Sequence, residues 1–149
     1  MELLRRDPKL FRRAVEEMVR WAIPVITLLR IATADTQIGG QPIKAGDEVV
    51  VWLASANRDE DVFPRADQFD VTRSPNPHLA FGFGPHTCLG GPLAKVELRV
   101  AMEELLKRYD GFEVVGKPER THTHFNGGLK RLPIRLIGRK PDVSTAVVA

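Results

Sequence analysis

Cysteine is almost absent from this chain: its 149 residues include one, Cys88, so no disulfide can form within it. No apolar run reaches the roughly 18 residues of a membrane-spanning helix, and Met1–Arg6 lacks the apolar core of a signal peptide. The excess of basic over acidic residues is small, 22 against 19. We therefore expect a soluble, cytoplasmic, globular protein with neither nucleic acid nor a membrane as its partner.

The one cysteine lies in a glycine-rich run, residues 81–91, which we call the cysteine loop. Its glycines permit positive φ and let the backbone approach a bulky, flat group closely. Pro92 suits the first turn of a following helix, so Cys88 lies just ahead of that helix's free N–H groups and the positive end of its dipole. This environment favours the thiolate, which can act as a nucleophile, a redox sensor or a metal ligand.

Three ordinary explanations of a lone cysteine fit this loop poorly. Structural zinc needs about four Cys or His ligands, whereas the chain offers one cysteine and four histidines. A cysteine hydrolase needs a base in contact with the sulfur, and His86, on the same Gly-Pro loop as Cys88, is expected to point elsewhere. A buried cysteine acting as a small hydrophobe is the commonest case, but the glycines and aromatic residues around Cys88 argue against it.

The N-terminal half of the chain has a helical pattern followed by a β-rich one. Asp7 and Pro8 form a helix start signal, apolar residues follow with helical period, and Pro24 ends the helix. Strand-forming segments then predict a small sheet of hairpins. These segments are residues 25–33, 36–38, 41–43 and 48–53.

The C-terminal half predicts a long loop, a helix and a hairpin, which makes the chain α+β. Residues 54–77, which we call the meander, lose all periodicity and predict an irregular loop, with a strand-like entry at 78–81 into the cysteine loop. Residues 92–109 form the clearest helix, with Asp110 and Gly111 as its stop. Strands at 112–115 and 129–137 follow, joined through the turn 125–128.

Glu17 and Arg20 lie three residues apart on one face of the first helix. Alone they would indicate a solvated ion pair worth about 0.2–0.5 kcal/mol. However, the pair resembles the Glu-x-x-Arg motif of the bacterial-type cytochrome P450 monooxygenases. The cysteine loop, which follows it in the sequence, resembles the haem-binding loop of the same family. The matching loop positions are Phe81, Gly84, His86, Cys88 and Gly90.

The resemblance implies that Cys88 is the axial thiolate ligand of the iron of haem b, where it would favour O–O cleavage. Phe81 would pack against this ligand and exclude water from the sulfur. Arg30 and His86 would bind the haem propionates; the alternatives are an exposed strand arginine and a solvent-facing loop histidine. The cofactor-binding set is completed by the glycines of the loop, Gly82, Gly84 and Gly90.

The resemblance also implies a substrate pocket and an electron donor. Val25, Ile26 and Phe125 would line a pocket for a small apolar substrate. Lys95 and Arg99 would lie on the proximal surface, where family members receive electrons from a ferredoxin or a flavoprotein; an ordinary solvated face is an equal alternative.

One position departs from the family pattern. The Glu17 and Arg20 pair is expected to form a buried structural network, which many members complete with an arginine where this chain has Gln68. Arg73 or His78 is expected to substitute for that arginine.

The resemblance covers residues 8–138, about the last third of the family's length, so residues 1–149 predict a partial P450 domain with a disordered tail at 139–149. The distal oxygen-activating half and its catalytic residues lie outside this chain. We expect the haem-ligating part of a bacterial monooxygenase that inserts one oxygen atom of O2 into its substrate, working with an N-terminal portion or a separate chain. The alternative is a truncated, noncatalytic haem-binding or degenerate fragment.

Overall fold

Two α-helices and four short strands are followed by two more α-helices and four more strands in the computed structural model, which describes residues 1–123 and 125–139. The described helices are α1 Glu2–Arg6, α2 Phe11–Ala22, α3 Leu53–Ala56 and α4 Gly91–Arg108. The described strands are β1 Thr27–Ile31, β2 Thr36–Ile38, β3 Gln41–Ile43, β4 Glu48–Trp52, β5 Tyr109–Val114, β6 Glu119–Arg120, β7 Leu129–Arg131 and β8 Ile134–Arg139. From residue 140 onward, the predicted disordered tail lies outside the described residues.

The start and end of α2 follow from its flanking residues. The side chain of Asp7 accepts a hydrogen bond from the main-chain N–H of Lys9 at 3.0 Å, and Pro8 opens a 3₁₀ turn that runs into the helix. At the other end Ile23 adopts the left-handed conformation, with φ 42°, and its N–H donates to Val19. Pro24 cannot continue the helix, so α2 ends where the sequence predicts.

The predicted single sheet of hairpins is wrong, because the strands form separate two-stranded sheets. β1 pairs antiparallel with β4, from Thr27 opposite Trp52 to Ile31 opposite Glu48. Within the described part of the chain, β2 pairs with β3 alone, across a turn in which Gly39 and Gly40 both have positive φ. The tight turn joins β2 directly to β3, so the two strands form a separate hairpin that does not pair with β1 or β4.

The last helix ends within one residue of the predicted bound, but the strand after it begins three residues earlier than the predicted residue 112. α4 ends at Arg108, and Asp110 and Gly111 lie within β5, which pairs antiparallel with β8. The predicted strand at 129–137 is divided into β7 and β8 before Ile134, since Pro133 has no N–H to donate and its carbonyl instead accepts from Val115 at 3.1 Å. β7 pairs with the short β6.

The core lies between the two long helices and the N-terminal helix. Leu4, Phe11, Ala14 and Leu106 form one buried cluster, and α2 packs on α4. The helix α1 was not predicted, because its five residues are too few to show a period. Among the described residues, no helix combines the length and apolar character needed to cross a membrane.

Much of α4 faces outward. Hydrophobic side chains along it are exposed, among them Leu93 at 62% and Val96 at 49%. An exposed apolar helix face of this kind is typical of a surface that is covered by further protein.

Candidate functional site

A buried ion pair joins α2 to the meander. Glu17 and Arg20 have no exposed surface, so the solvated ion pair considered above is wrong. Arg20 donates to both carboxylate oxygens, from Nε to Oε2 and from Nη2 to Oε1, each at 2.8 Å. Its Nη1 also donates to the main-chain carbonyls of Asn57 at 2.7 Å and Ala66 at 2.9 Å. Arg20 therefore fixes the meander on the helix.

Arg73 brings a second guanidinium to the same carboxylate. Its Nε donates to Oε2 of Glu17 at 3.1 Å, and its Nη2 donates to the main-chain carbonyl of Gln68 at 3.1 Å. That carbonyl also accepts from Arg20 at 3.2 Å. Gln68 thus takes part in the buried cluster through its main-chain carbonyl. The second guanidinium of the cluster belongs to Arg73, five residues later in the meander.

Glu17 is satisfied by five donors. Beside the two arginines, the main-chain N–H of Asp70 donates to Oε1 at 2.8 Å and Nδ2 of Asn76 donates to Oε2 at 3.0 Å. Burial alone would raise the pKa of Glu17, but the hydrogen bonds from Arg20 and Asp70 and the positive charges outweigh it, so this pKa lies below its ordinary value.

His78 contacts a different carboxylate, Glu16. The distance from Nε2 of His78 to Oε2 of Glu16 is 3.0 Å, and Lys95 Nζ lies 2.8 Å from the same oxygen. Of the two residues expected to substitute for the missing arginine, the structure therefore brings Arg73 and not His78 to Glu17.

Asn57 links this cluster to the cysteine loop, and the sequence did not single it out. It is fully buried, and its Oδ1 accepts from the main-chain N–H of Leu79 at 2.7 Å while its carbonyl accepts from Arg20. The Asn57 Nδ2 is buried without a hydrogen-bond partner among the described residues. An asparagine in a loop carries no sequence signal that separates this role from an ordinary turn.

The cysteine loop is a series of tight turns. The expected strand-like entry at 78–81 is wrong, because the Gly82 N–H turns back to the Leu79 carbonyl at 2.8 Å. Gly82 and Gly84 lie in the left-handed region, with φ 76° and 70°, which explains glycine at both positions. The Cys88 N–H donates to the Phe81 carbonyl at 2.8 Å, and the side chain of Cys88 is exposed.

An apolar cavity of about 660 Å³ lies beside this loop. It brings together six of the predicted site residues from β1, the loop before it and the cysteine loop. They are Val25, Arg30, Phe81, Gly82, His86 and Cys88. The thiol, an arginine and a histidine therefore face one largely hydrophobic space.

The remaining predicted residues lie elsewhere. The side chain of Ile26 packs on Gly127, where an added Cβ would lie 2.8 Å from the Cδ1 atom of Ile26. The main-chain N–H of Ile26 donates to the Phe125 carbonyl at 2.8 Å. The side chain of Phe125 is half exposed and, like Ile26, is not part of the cavity wall. A Cβ added at Gly90 would lie 3.8 Å from Cys88 Sγ, an ordinary contact.

A second groove, of about 550 Å³, reaches Cys88 from another side. Its wall includes Phe81, three cationic side chains, Arg12, Lys95 and Arg99, and one carboxylate, Glu16, so the charged groups of the groove are basic on balance. Cys88 therefore lines both an apolar cavity and a more polar, basic groove.

Comparison with known proteins identifies the family to which the chain belongs. The family model for cytochrome P450 matches residues 5–137. The chain is 49% identical over 135 residues to cytochrome P450-terp of a Pseudomonas species, and this match covers 91% of the chain and 32% of the relative. It is 48% identical over 136 residues to linalool 8-monooxygenase of Pseudomonas putida, covering 91% of the chain and 34% of the relative.

The fold also matches solved P450 structures. The crystal structure of the P450 enzyme CYP109B1 from Bacillus subtilis matches this chain with a TM-score of 0.85 and 45% identity, and the match covers 90% of this chain and 36% of CYP109B1. The haem-thiolate proteins are thus the class that the fold and loop define. The chain belongs to the cytochrome P450 family, which confirms the predicted α+β fold class. It spans about a third of the length of the relatives it matches.

Membership of this family implies haem, and the residues around the cavity fit it. The exposed thiol suits the iron, while Arg30 and His86 supply donors for two carboxylates at the same cavity. Within the described residues, no group of three or more His, Cys, Asp or Glu side chains could hold a metal ion by itself.

Proposed function

We propose that this chain is the haem-ligating part of a monooxygenase that inserts one oxygen atom of O2 into an apolar organic substrate. The observation that carries the proposal is the single cavity at which Cys88, Arg30 and His86 meet. Haem b, when bound, supplies the activation of O2. The chain's own contribution is the thiolate ligand and the surface on which the macrocycle rests.

Each cavity residue has a distinct role in this proposal. Cys88 binds the iron, and the guanidinium of Arg30 and the imidazole of His86 bind the propionates. Phe81, which lines the same cavity, would pack against the ligand in the haem-bound protein and limit the contact of the sulfur with water, which tunes the metal site. Gly82 leaves room for the flat face of the macrocycle because it carries no side chain. Val25 contributes to the apolar wall nearest the substrate.

The buried Glu17 cluster positions this surface. Arg20 holds the Asn57 carbonyl, and Asn57 holds the N–H of Leu79 just before the cysteine loop. This hydrogen-bonded connection runs from α2 to the loop that carries the ligand. The cluster thus acts on the iron site through backbone placement and does not touch the substrate.

Electrons are proposed to enter through the basic groove. Arg12, Lys95 and Arg99 lie in the groove that also reaches Cys88. A groove of this charge suits an acidic ferredoxin or flavoprotein, since complementary charge speeds encounter and orients the partner.

The proposed reaction needs protein beyond this chain. The relatives are about three times longer, and hydrophobic side chains along α4 are exposed. We propose that an N-terminal portion or a separate chain covers these side chains and supplies the distal side of the oxygen site. A noncatalytic haem-binding fragment is the outcome expected if no such portion exists.

The carbon monoxide spectrum tests the ligand assignment. Haem-loaded chain, once reduced and exposed to carbon monoxide, is expected to show the red-shifted Soret band of thiolate ligation. Cys88→Ser should abolish this band, because a serine hydroxyl does not replace the thiolate. Thr33→Ser, an exposed substitution in the turn after β1, is the control and should retain it. A nitrogen-ligated or free-haem spectrum from the unaltered chain would overturn the proposal.

A further inference from the structure

Helix α2 carries two consecutive carboxylates that hold different parts of the molecule. Glu17 binds the meander, as described above. Glu16 faces the cysteine loop, where its Oε2 lies 2.8 Å from Lys95 Nζ of α4 and 3.0 Å from His78 Nε2. His78 Nδ1 accepts from the Ala80 N–H at 3.4 Å, so Nε2 carries the proton that His78 donates to Glu16. One carboxylate oxygen thus joins three separate segments.

Both partners of Glu16 lie against the ring of Phe81. Lys95 Nζ lies 5.4 Å from the ring centroid, a cation–π distance, and the His78 ring centroid lies 6.1 Å away at a tilt of 54°. A Cβ added at Gly91 would meet the ring at 3.4 Å, so the ring also rests on the first residue of α4. Phe81 is therefore held between groups that Glu16 positions.

The position of Phe81 bears directly on Cys88. The Phe81 carbonyl accepts the hydrogen bond from the Cys88 N–H, and both residues line the cavity and the basic groove. A ring that moved away from α4 would shift the backbone of Phe81 and loosen this hydrogen bond, which holds the residue that carries the sulfur. Neither neighbour of Glu16 is freely solvated, since the His78 side chain is 5% exposed and that of Lys95 is 37% exposed.

The charge state of Glu16 agrees with this arrangement. Burial alone would raise its pKa, but the hydrogen bonds from Lys95 and His78 and the positive charge of Lys95 outweigh it and keep the pKa below its ordinary value. Glu16 is thus ionised at neutral pH, which strengthens its hydrogen bonds to both partners.

We propose that Glu16 is a positioning residue of the thiolate site, which holds Lys95 and His78 against Phe81 and thereby orders the loop that carries Cys88. Its effect on the iron rests on the proposed function, whereas its ordering of the loop does not. Glu16 touches neither cofactor nor substrate in this role.

Amide hydrogen exchange of the haem-free chain tests the ordering of the loop. Glu16→Ala removes both hydrogen bonds and should speed exchange in residues 79–88 by about three- to tenfold, since these partly exposed, charge-assisted bonds are of intermediate strength. Glu16→Gln keeps an acceptor oxygen and should restore most of the protection. Glu104→Ala, which removes two exposed ion pairs elsewhere on α4, is the control and should leave this segment unchanged.

Equal exchange in Glu16→Ala and Glu104→Ala would overturn the proposal. If Glu16→Ala fails to fold by circular dichroism, Lys95→Gln tests the same contact from a more exposed position, and unchanged exchange in that variant would also overturn it. With haem bound, Glu16→Ala should lose the red-shifted carbon monoxide band severalfold faster than Glu104→Ala. If the unaltered chain lacks that band, the proposed function fails, and faster exchange in Glu16→Ala would still support the role of Glu16 in the loop.

Discussion

Replacing Glu17 by glutamine should remove a large part of the stability of the protein. Oε1 of Glu17 accepts from Arg20 and from the Asp70 N–H, and Oε2 accepts from Arg20, Arg73 and Asn76. A glutamine places an NH2 group at one of these two positions. Whichever way the amide lies, its two hydrogens therefore face at least two other donors.

The magnitude follows from burial and charge. The Glu17 and Arg20 side chains are 0% exposed and that of Arg73 is 7% exposed, so solvent screens these charges very little. Glu17→Gln leaves two guanidinium groups buried without the carboxylate that balances them. Removing one partner of a buried ion pair costs about 3–5 kcal/mol, which is a large part of the roughly 5–15 kcal/mol that stabilises a typical domain.

Urea unfolding followed by circular dichroism measures this loss. Glu104→Gln removes the same charge from exposed ion pairs on α4 and should leave the free energy of unfolding nearly unchanged. If Glu17→Gln cost less than about 1 kcal/mol, well below the range expected for a buried pair, then the cluster would not hold the meander as the hydrogen bonds indicate.

Two further predictions concern the same cluster. Arg73→Lys should lower the free energy of unfolding by about 1–3 kcal/mol, because a lysine ammonium cannot reproduce the fork that reaches Glu17 and the carbonyls of Pro64, Arg65 and Gln68. Arg65→Lys, at a side chain 68% exposed, is the matched control in urea unfolding and should cost little; equal losses would refute the role of Arg73. Stability should also fall with acid: the pKa of Glu17 in the folded state lies below its ordinary value of 4.5, so the stabilisation is complete above that value and is lost as the pH falls through the lowered pKa. Unfolding free energies measured down to about pH 3 check this, and a flat profile would contradict it.

The sequence was a good guide wherever spacing alone carried the information. The Cys88 loop and the Glu17 and Arg20 spacing predicted the family, and the capping signals at Asp7 and Pro24 placed α2. Arg30, His86 and Cys88, which the resemblance assigned to the haem, line one apolar cavity, and their roles there stay a prediction.

Contacts between distant segments could not be predicted in the same way. Asn57 and Glu16 are ordinary polar residues in the sequence, and only the packing of α2 against the meander and α4 shows their partners. The start of β5 was misplaced because Gly111 favours a stop between helix and strand, whereas pairing of β5 with β8 draws it into the strand. Tertiary hydrogen bonding overrides the local signal there.

The vibrational spectrum of the iron–sulfur bond tests the central claim most directly, because the chain has a single cysteine. Resonance Raman spectra of haem-loaded chain made with ³⁴S-cysteine should show the iron–sulfur stretch at a lower frequency than chain made with ordinary cysteine, since a heavier ligand atom slows the vibration. A spectrum that does not change with the sulfur isotope would contradict the assignment of Cys88 as the iron ligand.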